Sequence, residues 1–283
     1  MKWALGFWSC LLACQPAQSP IWVPPGCVIL QAEPDPAAVT DPVLRASILA
    51  SGMPWSVQHL ASGIEFLLVP EGRVACGASD GDAEAAPDEY PAHEVRVQQP
   101  FYLGRTEVTQ SQWQRVLGEN PSFFVGEANA PVEQVDRVAV QGFLSAAGLD
   151  LPTEAQWEFA CRAGDPRPRY GEPAAIAWTR ANAGQRSQDV GQKRANALGF
   201  HDLLGSVWEW TLDSYRADTY KRHADGVDAT WRSKIGAQFV LRGGSWYDSP
   251  RRARSSARYF AALDYRGSHV GLRAVLPFAA PGA

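Results

Sequence analysis

The sequence has little cysteine and methionine and no excess of basic residues. Only five Cys and two Met occur among 283 residues, and no Cys follows Cys161. Outside the first fourteen residues, Cys27, Cys76 and Cys161 are widely spaced and form no CxxC pair, which excludes a disulfide framework and a cysteine-based zinc site. A net charge of −4 gives no basic patch for nucleic acid or for an anionic membrane surface.

Familiar catalytic motifs are also absent. The chain contains no GxSxG, no Walker loop, no GxGxxG after a strand and no HExxH. Its five histidines show no metal-ligand spacing. Residue types and spacing alone therefore assign no chemistry.

The N-terminus contains an apolar run that is too short to span a bilayer. Lys2 precedes the run 3–13, which matches the apolar region of a signal peptide. The run ends in LLAC, like a bacterial lipobox, so we expect cleavage after residue 13 and lipidation of Cys14. The same resemblance implies that Gln15, rather than Asp, after this Cys favours the outer membrane in a Gram-negative cell. The protein is thus predicted to be an exported outer-membrane or cell-surface lipoprotein, held to the membrane by its lipid alone; the alternative is a cleaved leader and a periplasmic or secreted protein.

The rest of the chain divides into a tether and one domain. Residues 14–55 are rich in Pro and Ala and predict a tether with one short helix near 42–50. The domain is predicted over 56–278. Eleven Trp together with 25 Gly and 21 Pro indicate a loop-rich fold with aromatic anchors.

Three helices have clear start and stop signals. They begin after the N-cap residues Thr109, Asp136 and Thr153 and end at Gly118, Gly148 and Gly164. Strands are predicted at 64–72, within 93–108, and near 238–242 and 270–276. Helical periodicity almost disappears after residue 164, so the predicted class is α+β.

An ordered series of motifs resembles the formylglycine-generating enzyme, or sulfatase-modifying factor, family. The series includes FYLGRTEVTQSQWQRVLGENPS (101–122), LPTEAQWEFACRAG (151–164), NALGFHDLLGSVWEW (196–210), VLRGGSW (240–246) and VGLRAV (270–275). The resemblance covers residues 56–278. It implies a C-type-lectin-like fold, with few helices, short antiparallel strands and long ordered loops.

One segment predicts a calcium site. GFHDLLGSVWEW places Asp202 and Glu209 around a glycine-containing turn, and carboxylates with turn carbonyls suit Ca²⁺. The resemblance implies Asp202, the carbonyls of Gly205 and Val207, and Glu209 as the ligands. The alternative is that both carboxylates cap loops and pair with arginine.

The segment after RGGSW lacks the family's catalytic residues. In the active oxidases of the family, two cysteines follow this motif and bind copper(I). Here the first position holds Asp248; the second holds Ala253, or Pro250 when counted back from SSAR. A hard carboxylate does not replace a soft thiolate for copper(I). No copper and no catalytic residue are therefore predicted.

What remains is a groove rich in Tyr, Trp and Arg. These residue types with small polar neighbours are typical of binding surfaces. The predicted ligand-binding residues are Trp246, Tyr247, Asp248, Ser249, Arg251, Arg252, Tyr259, Phe260, Tyr265, Ser268 and His269. The alternative is a solvated cationic loop. Arg254, Arg258 and Arg273 are the best candidates for arginines that brace the loops.

The C-terminus also resembles the variable proteins of diversity-generating retroelements, which use this fold and end in RGGSW…GFR; here the end is LR. Adenine-directed mutation of Asn codons reaches the residue types present at 247–249, 251, 252, 257, 259–262, 265 and 267–269. The predicted function is thus non-catalytic binding of a protein or other surface ligand. The alternatives are a formylglycine-generating or accessory oxidase with another mechanism, and a structural envelope protein.

Overall fold

The computed structural model describes residues 22–126, 128–223, 226–228 and 238–277. Within them the fold is α+β, with few helices and short strands. The helices are α1 Pro42–Ala50, α2 Gln110–Leu117, α3 Arg137–Ala147, α4 Glu154–Arg162, α5 Pro173–Ile176 and α6 Thr219–Arg222. The strands are β1 Cys27–Gln31, β2 Ser56–His59, β3 Glu65–Val69, β4 Gly72–Cys76, β5 His93–Val97, β6 Phe101–Gly104, β7 Trp208–Ser214, β8 Val227–Asp228, β9 Gln238–Arg242, β10 Arg258–Ala262, β11 Val270–Leu272 and β12 Val275–Leu276.

The strands of the described residues form three sheets. One sheet has the order β1-β2-β3-β6-β12, a second β10-β9-β7-β11 and a third β4-β5-β8. In the second sheet β10 pairs antiparallel with β9, with Arg258 opposite Arg242, whereas β11 runs parallel to β7. This sheet carries the segments on both sides of the RGGSW motif and therefore fixes the predicted binding region.

The helix boundaries follow from capping. Thr109 and Gln112 form a reciprocal capping box at α2, and the Asp136 side chain accepts from the amide of Ala139 at α3. Gly118 ends α2 in the left-handed conformation, as predicted. Helix α4 ends one residue earlier than predicted, because Ala163 already takes the left-handed conformation.

The N-terminal segment is more ordered than predicted. The helix predicted near 42–50 is α1, with Asp41 as its N-cap. The prediction of a tether as far as residue 55 is wrong, because β1 pairs antiparallel with β2 and Val39, Ile48 and Trp55 are buried in the core. The predicted signal peptide 1–13 and Cys14 lie outside the described residues. No helix in the described ranges is both long and apolar enough to cross a membrane.

Aromatic side chains form much of the core, as the tryptophan content predicts. Fully buried tryptophans come from several elements: Trp55, Trp113, Trp157, Trp208 and Trp210. Trp113 of α2 stacks on Phe143 of α3 with ring centroids 4.8 Å apart. Cys161 is a buried thiol, as predicted, and burial raises its pKa to about 12.

Buried arginines brace the C-terminal segment. Arg254 donates to both oxygens of Glu89 at 2.7 Å, and Arg258 forms a bidentate pair with Glu154. Arg273 pairs with Glu209 at 2.8 Å. The predicted bracing role of the three arginines is confirmed. Arg242 adds a further link, since it bonds to Glu154 and Glu158 of α4.

Candidate functional site

Two glycines form the base of the region. Gly243 and Gly244 have φ of 102° and 84°, where most residues are strained. A Cβ at Gly243 would lie 2.9 Å from the carbonyl oxygen of Leu203, and one at Gly244 would lie 2.9 Å from that of Arg252. Close backbone approach therefore requires both glycines, as the motif predicts.

Asp248 stands at the first position of the family's cysteine pair and is anchored from three sides. Its carboxylate accepts hydrogen bonds from Nε1 of Trp208 at 2.8 Å and from the hydroxyl of Ser245. Its carbonyl oxygen accepts from the amide of Arg180. Ala253, at the second position, is buried. The carboxylate thus supports neighbouring side chains of the site.

Tyr247 provides the most exposed aromatic ring of the region. It is 59% exposed and stacks on His269 with centroids 5.6 Å apart. His269 Nε2 lies 3.3 Å from the hydroxyl of Tyr265. Burial lowers the pKa of His269, and the nearby charge of Asp248 opposes that shift only partly. These three side chains form one aromatic cluster.

A second group of rings continues from β10. Tyr259 stacks on Trp208 with centroids 5.3 Å apart, and Phe260 stacks on Tyr215 at 4.1 Å. Because Trp208 also bonds to Asp248, the two groups are joined. We call the solvent-facing rings of both groups the aromatic surface: Tyr247, Tyr259, Phe260, Tyr265 and His269.

The remaining predicted ligand-binding residues divide into buried and exposed ones. Trp246 is only 7% exposed; its Nε1 donates to the carbonyl oxygen of Ser268, so it supports the surface rather than forming it. Ser249 is half-buried, and Arg251 and Arg252 extend into solvent from a 3₁₀ turn.

Sequence reasoning missed Trp208 and Tyr215, which carry the rings of Tyr259 and Phe260. Trp208 belongs to the WEW motif and Tyr215 follows β7 directly. The aromatic residues of this segment are the available signal, but the sequence does not predict that their rings stack on those of β10.

The predicted calcium ligands meet the requirement for free oxygens only in part. One oxygen of Asp202 accepts from the amide of Gly191 at 2.6 Å, while its Oδ1 has no hydrogen-bond partner in the described structure. Glu209 accepts from Arg273 and from Nε1 of Trp157 at 2.6 Å. Its oxygens therefore bond to protein groups, which agrees with the arginine-pairing alternative. Gly205 and Val207 are both buried in the same turn region.

A different carboxylate stands next to Asp202. Glu107 is 1% exposed, and neither of its oxygens has a hydrogen bond of normal geometry in the described structure, although the neighbouring Ser206 hydroxyl favours its charged form. Burial raises its pKa strongly, and the nearby Asp202 raises it further. Two buried carboxylates that each have an oxygen without a hydrogen-bond partner offer the oxygen chemistry of a Ca²⁺ site. Among the described residues, however, no group of three or more His, Cys, Asp or Glu side chains could hold a metal.

A large cavity in the described part of the chain has a lining separate from the aromatic surface. It has a volume of about 1290 Å³ and lies between the segment 35–40 and residues 162–201. Several arginines line it, and four of them are compensated: Arg105 by Glu65, Arg162 by Glu158, Arg167 by Asp165 and Arg169 by Glu84. Its lining includes none of the predicted site residues.

Comparison with known proteins defines the class. Residues 56–277 match the family described as "Sulfatase-modifying factor enzyme 1-like domain", and the chain belongs to this family. It is 29% identical to the formylglycine-generating enzyme of Streptomyces coelicolor, over 84% of this chain and 76% of that protein. It is also 27% identical to the chaperone protein LppX of Paenibacillus barcinonensis, over 62% of this chain and 79% of that protein.

Among solved structures, Treponema denticola variable protein 1 is similar. The TM-score is 0.66 at 25% identity, and the match covers 76% of this chain and 96% of that one. The predicted family and the formylglycine-generating-enzyme type of C-type-lectin-like fold are therefore confirmed, as is the likeness to a variable protein.

Proposed function

We propose that this protein is a non-catalytic binding protein whose aromatic surface recognises a protein or another surface ligand. The observation that carries this proposal is the state of the two positions where the family's oxidases have thiols. Asp248 is a hydrogen-bonded carboxylate and Ala253 is a buried methyl group. Neither side chain is a copper(I) ligand.

The cysteines within the described residues do not replace the missing pair. Cys76 and Cys161 are buried and Cys27 is half-buried, and burial raises the pKa of all three thiols. Copper(I) binding and thiol oxidation both require thiolate character. The geometry therefore favours binding over oxidation.

The aromatic surface suits recognition. Its rings are stacked on one another or on core residues, so little side-chain entropy is lost when a partner binds. Arg251 and Arg252 at its edge offer charged donors. The proposed partner is a protein or another ligand at a cell surface, with Cys14 as the lipid anchor of an exported protein.

Within this proposal Ca²⁺ has a supporting role only. Asp202 and Glu107 would hold the ion through their unpartnered oxygens. When bound, Ca²⁺ would neutralise the two buried carboxylates and brace the loop 202–207. It takes no part in ligand recognition.

Binding is tested with the chain from residue 15, screened on arrays of proteins and glycans. For each ligand found, we expect Tyr247→Ala and Tyr259→Ala to weaken affinity about tenfold or more. Leu60→Ala changes an exposed apolar residue on the turn between β2 and β3 and serves as the matched control. Equal affinities for all four proteins would place the binding site elsewhere.

The oxidase alternative has its own assay. The chain is incubated with copper(I), oxygen and a sulfatase-type Cys peptide, and products are followed by mass spectrometry. We expect the thiol to remain unchanged. Conversion of the peptide cysteine to formylglycine overturns the non-catalytic proposal.

We further propose that the tail is diversified, on the basis of its residue types and its likeness to a variable protein. Sequencing of the gene and its flanks tests this. The expected result is a near-copy of the stretch encoding 242–273 that differs at adenines, beside a reverse transcriptase gene. Absence of such a copy means that the surface is fixed, and the binding proposal then stands on the array screen alone.

A further inference from the structure

A smaller cavity lies between α3 and the ends of β9 and β10. Its volume is about 440 Å³, within the usual range for small-molecule pockets. It is lined by Arg137, Val138, Gln141, Gly142, Ser145, Phe239 and Leu263. Only Leu263 belongs to the tail segment that carries the aromatic surface, so the two sites are separate.

The cavity contains a buried arginine without a counter-ion in contact. Arg137 is 8% exposed, and its Nε and Nη1 have no hydrogen-bond partner in the described structure. Its guanidinium lies 5.1 Å from the centre of the Phe239 ring. Burial lowers its pKa, and only the more distant charges of Asp150 and Asp213 oppose that shift. A buried charge without a bonded partner is unfavourable, so this guanidinium is prepared to accept an anion.

The opposite part of the lining is apolar and open. Val138 is 62% exposed and Leu263 is 46% exposed, although both are large aliphatic residues. Phe239 adds an aromatic ring beside the guanidinium. An occupant must therefore combine apolar surface with negative charge.

A glycine inside α3 keeps this space open. Gly142 has ordinary helical geometry, and a Cβ added there would meet no atom within 4 Å. Glycine in a helix interior is less stable than alanine, so the position is not optimised for helix stability. A side chain at residue 142 would extend along the wall of the cavity.

We propose that this cavity binds a small carboxylic acid with an apolar body. The carboxylate accepts two parallel hydrogen bonds from the guanidinium of Arg137, the geometry in which arginine binds carboxylates best. The apolar body packs against Phe239, Val138 and Leu263. Aliphatic and aromatic acids both combine a carboxylate with an apolar body, which is the chemistry that the pocket recognises.

The probes are octanoate, 3-phenylpropionate and octylamine, titrated into the full chain by calorimetry. At least one acid is expected to bind, and octylamine, which has the opposite charge, is not. The acid that binds more tightly shows whether the preferred ligand has an aliphatic or an aromatic body. If neither acid binds at millimolar concentration, or if octylamine binds as tightly as the acids, the proposal is wrong.

Two variants separate this role from a structural one. Arg137→Met keeps the length of the side chain, and we expect at least tenfold weaker acid binding together with a higher melting temperature, because an unpartnered buried charge is removed. A lower melting temperature with unchanged acid binding means that Arg137 is structural. Gly142→Leu fills the cavity, leaves Arg137 in place and is expected to weaken acid binding tenfold. It therefore tests whether acids bind in this cavity even if Arg137→Met does not fold. Arg73→Met, at an arginine whose side chain is 67% exposed and does not line the cavity, is the control and leaves acid binding unchanged.

Discussion

The pair formed by Arg273 and Glu209 allows a direct test of what holds the C-terminal segment in place. Arg273 is fully buried and donates to Glu209 through Nε and Nη2, at 3.0 Å and 2.8 Å from Oε1. The change Glu209→Gln keeps the size of the side chain and removes its charge. Removing one member of a buried ion pair costs about 3–5 kcal/mol.

The lower end of that range is expected here. Glu107 and Asp202 also favour the charged form of Arg273, so part of the compensation survives the substitution. We therefore expect Glu209→Gln to lower the free energy of unfolding by about 3 kcal/mol. With a urea slope of about 3 kcal/mol per molar, the unfolding midpoint falls by about 1 M.

The assay is urea unfolding followed by tryptophan fluorescence at neutral pH, in EDTA and in excess calcium. If Glu209 compensates the charge of Arg273, Glu209→Gln lowers the free energy of unfolding by the same amount in both buffers. A loss that appears only in calcium would show that Glu209 is a metal ligand. A change below about 0.5 kcal/mol in both buffers would refute the ion-pair argument, because that is the size expected for Glu65→Gln, a control at the partly exposed pair with Arg105.

Three further predictions concern the base of the site, the response to acid and the calcium proposal. Gly243→Ala is expected to lower the free energy of unfolding by about 2 kcal/mol or more, because residue 243 has a positive φ and its Cβ would approach the Leu203 carbonyl. Gly118→Ala is the control and is expected to cost less, because its Cβ would meet open space. Thermal unfolding compares the two variants. The pKa of His223 is lowered from 6.5 to about 4 by burial and by His93. Since the unfolded chain binds this proton and the folded chain does not, stability is fully present above pH 6.5 and is lost as the pH falls towards 4; His223→Gln should flatten that slope in melting curves. Glu107→Gln should raise the melting temperature in EDTA and abolish any rise caused by calcium, and an unchanged calcium effect would exclude Glu107 as a ligand.

The helices could be predicted from the sequence because their signals are local. Thr109 with Gln112, and Thr153 with Gln156, each close a capping box within three residues. Strand β7 gave no such signal, because nearly every residue of WEWTLDS is buried and the alternation of a half-buried strand is missing. Strand β1 was missed for the opposite reason, since it is an exposed edge strand within Pro-rich sequence.

The candidate site could be predicted as a segment but not as an arrangement. Residue types indicate an aromatic and arginine-rich tail that follows RGGSW, and its role as a binding site stays a prediction. The supports of that tail are distant in sequence: Arg258 pairs with Glu154, and Arg242 joins Glu154 to Glu158. The orphaned carboxylate of Glu107 is likewise visible only once β6 and the loop at 202 are brought together.

Burial divides the tail into positions that can vary and positions that cannot. Along β10, Arg258 and Ala261 face the interior, while Tyr259, Phe260 and Ala262 are partly or fully accessible. Replacing Arg258 would remove one of the two buried arginines that pair with the buried carboxylate of Glu154, whereas replacing Phe260 removes only a surface stack on Tyr215. A protein with this architecture can therefore change the chemistry of its surface while its arginine frame stays fixed. If the tail is diversified, substitutions should be concentrated at 247, 259, 260 and 262 and be rare at 258 and 261.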